Sequence, residues 1–88
     1  MTTGDQLASL PGEYVFKIFG RRSPELVERV TATIAKTLGA VPPAAVRVRE
    51  SSRGRYVSIT IVVWAESRAQ LERVYGDLRA VPDVLLYI

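Results

Sequence analysis

The sequence predicts an α+β fold: a ferredoxin-like βαββαβ sandwich, with a four-stranded antiparallel sheet in the order 4-1-3-2 and two helices on one face. Three observations predict it. Several short segments alternate apolar and polar residues, as half-buried strands do. Two longer segments repeat apolar residues at the spacing of one helical face. The segments follow one another as β-α-β-β-α-β, and right-handed crossovers then place strands 1 and 3 in the centre and strands 2 and 4 at the edges.

Residues 1–12 hold two Gly and one Pro and show no periodicity, so they read as a mobile arm ahead of a single domain at 13–88. Leu7 and Leu10 are the residues by which that arm would dock on an apolar surface. "YVFKIFG" alternates and ends at Gly20, which makes it strand 1, with Phe16 and Ile18 toward the helices and Lys17 and Phe19 on the open face. Ser23-Pro24-Glu25 reads as a helix start: a capping hydroxyl, a proline suited to the first turn, and an acid at the positive end of the dipole. Leu26, Val30, Ile34 and Leu38 give the buried stripe, Gly39 ends the helix, and Pro42-Pro43 prevents its continuation.

"AAVRVRE" is strand 2, with Val46 and Val48 to one side and Arg47 and Arg49 to the other. "RYVSITIVVWA" is strand 3: Val57, Ile59, Ile61 and Val63 take one face, and Tyr56, Ser58, Thr60, Val62 and Trp64 take the other. Ser67 and Gln70 form a capping box ahead of a helix whose stripe is Leu71, Val74, Tyr75 and Leu78. Pro82 closes that helix, and "DVLLYI" is the last strand.

The connection between strands 2 and 3 follows from register. Val46 and Val48 have to share a face with Ile59 and Ile61, because a slip of one residue would expose them. Pairing an even-numbered residue with an odd-numbered one requires a loop of two or four residues. The shorter solution is Arg53-Gly54, with Gly54 at a positive φ that only glycine adopts at little cost. Turn chemistry alone therefore accounts for Gly54.

The arginines raise a separate question. Twelve basic residues against nine acidic ones leave a net charge of +3, a mild excess whose meaning depends on clustering. In this topology the end of strand 1 lies beside the start of strand 3. Arg21, Arg22, Arg49, Arg53 and Arg55 then gather at one end of the sheet, next to the start of the first helix, with Glu50 and Asp83 nearby. Five arginines beside free helix N–H groups make a candidate anion or nucleic-acid site. The plain alternative is a solvated basic surface.

"YVFKIFG", "SSRGRYVSITI" and "SRAQLERVYGDL" together resemble the YbeD-like family, small bacterial proteins of unknown function. The family pattern is K-x-x-G at the end of a strand, S-S-K/R-G-x-Y-x-S on a hairpin, and a helix with Q-hydrophobic-x-x-hydrophobic-Y. These motifs fall on Lys17 to Gly20, Ser51 to Ser58, and Gln70 to Tyr75. The likeness runs from about Glu13 to the end of the chain, and departs at "KTLGAVPPAA" and in the Arg-rich turns. It implies a ferredoxin-like fold akin to ACT regulatory domains, and a loose link to lipoate metabolism without any residue-level site.

Composition removes several chemistries. The chain has no His, Cys or Asn, which excludes His- or Cys-based triads and zinc sites built from the usual ligands. Acylphosphatase, a small enzyme of this fold, resembles the chain in the glycine and arginine near the first strand–helix junction, but it needs an asparagine. No enzyme activity, cofactor or metal is expected. RNA-recognition domains share the fold and a strand-3 motif opening with [K/R]-G, which Arg53-Gly54 matches. Arg55 and Val57 stand where that motif needs stacking rings, while Phe19, Tyr56 and Trp64 remain able to stack on the open face.

The expectation is a small regulatory or protein-interaction module, ACT-like and without catalysis. RNA or anion binding at the basic end and open face is the alternative. Val15, Lys17, Phe19, Tyr56, Val62 and Trp64 are the open-face interaction candidates, since large apolar groups on such a face mark contacts. The partners expected are a second copy in a dimer or another protein, then a small anionic effector, and less readily nucleic acid. No run of about 20 apolar residues exists for a membrane span. "MTTGDQLASLPGE" lacks the basic and apolar regions of a signal peptide, so a cytoplasmic location is expected.

Overall fold

The computed structural model describes residues 10–88. Its elements are β1 (Gly12–Arg21), α1 (Leu26–Leu38), a 3₁₀ turn (Pro43–Ala45), β2 (Val46–Glu50), β3 (Tyr56–Ala65), α2 (Arg68–Leu78) and β4 (Val84–Tyr87). The sheet order is β2-β3-β1-β4, the expected 4-1-3-2 order counted from the opposite edge. All three pairings are antiparallel. Residues 1–9 of the expected arm, Leu7 among them, lie outside the described residues. Leu10 packs against the core and Gly12 already belongs to β1.

The central pairing runs without a break from Gly12↔Ala65 to Arg21↔Tyr56. Because side chains alternate across a strand, this register sends Tyr14, Phe16 and Ile18 of β1, with Val57, Ile59 and Ile61 of β3, to one face. There they meet Leu26, Val30 and Ile34 of α1 and Leu71, Val74 and Leu78 of α2, all at most 5% exposed. Each large apolar side chain so buried contributes about 1.5–3 kcal/mol. Lys17 and Phe19 lie exposed on the other face, as their alternation predicts.

One polar contact crosses this core. The Tyr14 and Tyr75 hydroxyls lie 2.8 Å apart, with the rings edge to face. Burial, and then the bond with Tyr14, push the ionisation of the Tyr75 phenol well above its ordinary range, so it stays neutral. Tyr87 of β4 stacks on the other side of Tyr75 at 5.6 Å. Tyr75 thus ties α2 to both β1 and β4.

The two helix starts differ. Ser67 caps α2 as expected, accepting from the Gln70 N–H, while Gln70 Oε1 accepts from the backbone of Glu66 at 2.8 Å. The box therefore closes one residue earlier than the usual pattern. α1 departs from expectation: the cap position is Glu25 rather than Ser23, and no side chain caps it. Ser23 contributes its carbonyl to Leu26 N–H instead, and the Glu25 carboxylate pairs with Arg29 one turn on at 2.7 Å. Pro24 and Glu25 form a turn ahead of the first regular helical residue, Leu26.

The β2–β3 connection corrects the two-residue loop. Register is as derived, with Val48↔Ile59, but regular pairing stops at Glu50↔Val57 and residues 52–55 form a four-residue loop. A turn closed by Gly54 N–H on the Ser51 carbonyl opens it, and Gly54 takes φ 69°. Ser51 donates its N–H to the Tyr56 carbonyl, while its hydroxyl accepts from the Tyr56 N–H. Both loop lengths satisfy the parity, and the side-chain bond from Ser51 favours the longer one.

Gly20 has a stricter role than ending a strand. β4 pairs with β1 through a bulge between Phe19 and Gly20, which carries the Asp83 carbonyl over Gly20 to accept the Arg21 N–H at 2.9 Å. A Cβ on residue 20 would collide with that carbonyl and lie 3.0 Å from Leu26 Cδ2. Asp83 itself adopts φ 72°, uncommon for a residue with a side chain.

Two glycines therefore respond oppositely to alanine. Gly20→Ala has to displace backbone, and is expected to cost about 1–3 kcal/mol, the usual range for overpacking. Gly76, inside α2 with open space around it, is expected to gain about 0.5–1 kcal/mol from the better helix former. Thermal unfolding of both variants checks the pair: the midpoint should fall for the first and rise for the second.

Candidate functional site

Two surfaces collect the residues singled out in the sequence. The first is the end of the sheet where β1 stops and the β2–β3 loop turns. Arg22 donates its backbone N–H to the Arg55 carbonyl at 2.8 Å, which holds the two segments together. An open depression of about 670 Å³ results, lined by Arg21, Arg22, Ser23, Pro24, Gly54 and Arg55. Three of the five candidate arginines meet there. Arg53 sits on the exposed loop and does not line it. Arg49 pairs with Ser58 along β2 and stands on the open face rather than in the depression.

The charge at this end is also lower than the count of arginines. Arg22 Nε lies 3.3 Å from Glu50 Oε2, with both side chains more than half exposed. Such a pair contributes at most about 1 kcal/mol, but it removes Arg22 as a free cation. Asp83, expected to offset the cluster, acts through its carbonyl on the Arg21 N–H.

The second surface is the open face. All six open-face candidates lie on it, fixed by the pairing Val15↔Val62 together with Lys17↔Thr60, Phe19↔Ser58 and Glu13↔Trp64. Phe19 and Tyr56 stack at 5.6 Å, and both remain about 40% exposed. Trp64 is 57% exposed, and its Nε1–H donates to Glu66 at 2.8 Å, which anchors the ring. β4 also contributes to this face. Leu86 pairs with Phe19, and Ile88 exchanges two backbone bonds with Lys17, so both add exposed apolar surface. The sequence of this strand does not reveal them, because Val84-Leu85-Leu86 lacks the alternation that shows which residues face out.

A small groove of about 90 Å³ runs between Lys17, Phe19, Ser58, Leu86 and Ile88. Around it stand Lys17, Arg21, Arg47 and Arg49, none in an ion pair among the described residues. The acids of this surface, Glu13 and Glu66, lie at the Trp64 end. The open face is thus apolar along β1 and β4, cationic at its β2 edge and hairpin end, and acidic at the other end.

The residues that carry the family motifs divide in the same way. Gly20, Ser51, Gly54, Gln70, Leu71, Val74 and Tyr75 have duties in folding: a close approach, a loop bond, a positive φ, a cap, two core contacts and a hydroxyl pair. The side chains of Lys17, Tyr56 and Ser58 have none of these roles and lie together on the open face.

The whole of residues 5–88 matches a family model described as a protein of unknown function, DUF493. A UPF0250 protein of Shewanella woodyi is 38% identical, with 94% of this chain and 92% of that protein covered. A UPF0250 protein of Bordetella parapertussis is 31% identical over 96% of this chain and 92% of its own length. Among solved structures, the ACT domain from a GTP pyrophosphokinase of Chlorobium tepidum superposes with a TM-score of 0.64 at 13% identity, covering 86% of this chain and 84% of that one. That likeness shows a shared fold.

The loop end separates conformation from charge. Gly54→Ala is expected to cost about 1–2 kcal/mol, since a left-handed conformation penalises any Cβ. Arg53→Ala with Arg55→Ala should stay within about 0.5 kcal/mol of wild type, as exposed substitutions do. Urea unfolding of the three proteins checks both statements; equal midpoints for all of them would refute the glycine argument.

Proposed function

The chain belongs to the DUF493 family of proteins of unknown function, and on that footing we propose that it is a small ACT-like regulatory or protein-interaction module that works through its open sheet face and has no catalysis of its own. The observation that carries this reading is the composition of that face. Phe19, Tyr56, Trp64, Leu86 and Ile88 are exposed there, beside four cations without ion-pair partners among the described residues. Exposed apolar surface of this kind costs solubility unless something covers it. The cations select what that is.

A second copy placed face to face about a two-fold axis that passes through the cationic end would bring Lys17, Arg21, Arg47 and Arg49 against the same four side chains. Like charges at such an interface cost several kcal/mol. A partner protein carrying acidic side chains meets no such opposition. The second reading, RNA or a small anion, draws on the depression that gathers Arg21, Arg22 and Arg55 and on the ring stack of Phe19 and Tyr56.

Native purification of the tagged protein from the cells that make it tests the choice. The same purification is run for an open-face variant, Lys17→Glu with Leu86→Ser, and a helix-side variant, Arg29→Glu with Lys36→Glu. A protein that co-purifies with wild type should be lost from the first and kept by the second. Retention by both variants, or loss from both, would sink the open-face reading. Co-purification of RNA in place of protein would favour the second one.

A further inference from the structure

We propose that the free edge of β2 is a docking strand for an extended acidic segment of a partner protein. This rests on the interaction-module reading and gives it a partner chemistry.

The alternation of ladder bonds decides which backbone groups of β2 point outward. Lys17 exchanges both backbone bonds with Ile88, at 2.9 and 2.8 Å, and Arg21 N–H reaches the Asp83 carbonyl. Odd-numbered residues of β1 therefore bond toward β4. Even-numbered ones bond toward β3, as Arg22 does beyond the strand end. Antiparallel ladders alternate, so the even-numbered residues of β3 bond toward β2, meeting Arg47 and Arg49. Ser51 N–H on the Tyr56 carbonyl has the same parity. The N–H and C=O groups of Val46, Val48 and Glu50 are left pointing away from the sheet, at an edge with no further strand among the described residues.

Side chains of β2 then say what such a strand has to look like. Arg47 and Arg49 stand on the open face, exposed, without ion-pair partners among the described residues. Val48 stands on the helix side but lies at the margin of the sheet, and it stays 45% exposed. An added strand would place alternate side chains beside the two arginines and beside Val48. Acid at the first set and an aliphatic group at the second answers both, since cross-strand neighbours of opposite charge and of matched apolar character are favourable. Backbone bonds supply affinity and the alternate side chains supply choice, as in other strand-addition complexes.

The same arginines disfavour self-pairing at this edge. Two copies of β2 paired antiparallel about Val48 would oppose Arg47 to Arg49 of the second chain, and like charges directly opposite are destabilising. The other edge, Val84–Tyr87, carries no charge and offers nothing to distinguish an acidic strand. Glu50, at the end of β2, is already engaged by Arg22 at 3.3 Å.

A fluorescein-labelled heptapeptide alternating Glu and Val, with blocked ends, is titrated into the full-length protein by fluorescence anisotropy, beside its Lys–Val counterpart. The Glu peptide should bind at least tenfold more tightly. Amide hydrogen exchange should slow at Val48 and Glu50 on binding and stay unchanged along β4. Arg47→Glu with Arg49→Glu should invert the preference between peptides, and Val48→Pro, which removes one outward N–H, should abolish binding. Equal binding of both peptides, protection along β4, or no saturation at millimolar peptide each overturns the proposal. It fails separately from the broader reading. A captured partner that needs Lys17 and Leu86 but ignores Val48→Pro leaves the open face standing and removes strand addition. Peptide binding at β2 alongside partner capture indifferent to the open-face variant does the reverse.

Discussion

The unbroken pairing of β1 with β3 is the constraint on which the other placements depend. Its register matches even-numbered residues of β1 with odd-numbered residues of β3 on the helix side. Shifting one strand by one residue would expose Phe16 and Ile18 and bury Lys17, or would expose Ile59 and Ile61, an exchange no packing of the helices could repay. With that register set, Tyr75 has one place to find a hydroxyl partner, Tyr14. β2 can join only so that Val48 meets Ile59, and β4 only through a bulge that lays a carbonyl over Gly20.

The same alternation sorts charge. Because β1 and β3 send their apolar residues to the helices, the polar and cationic residues of β1 and β2 fall together on the opposite face. β4 does not follow this rule, and its exposed Leu86 and Ile88 give that face an apolar half. A surface mixed in this way is neither core nor ordinary solvated exterior. Its acids sit near Trp64 and its cations near β2, so it has a direction as well as a composition.

Much of this was legible in the sequence, because period-two alternation and helical spacing are local signals. The strand order, the two buried stripes, the facing of Lys17 and Phe19, and the cap on α2 needed only neighbouring residues to deduce. What was not legible depends on segments distant in the chain. The glycine at position 20 answers a carbonyl from residue 83, and Tyr14 answers a ring 61 residues away. The arginines illustrate the limit of topology. It brought five of them to one end of the sheet, but the length of the loop and the facing of each strand decide that Arg21, Arg22 and Arg55 meet while Arg49 and Arg53 do not. The start of α1 departs from expectation for a local reason: a serine before proline offers two ways to begin, and its carbonyl rather than its hydroxyl is used.

The tether between Trp64 and Glu66 has a practical side. This is the only tryptophan in the chain, and it is held at one end of the open face with more than half its surface in water. Its indole is therefore a built-in optical reporter for that face alone. Anything that closes over the sheet strips water from the ring and moves its emission to shorter wavelength, whereas an event on the helix side leaves the colour unchanged.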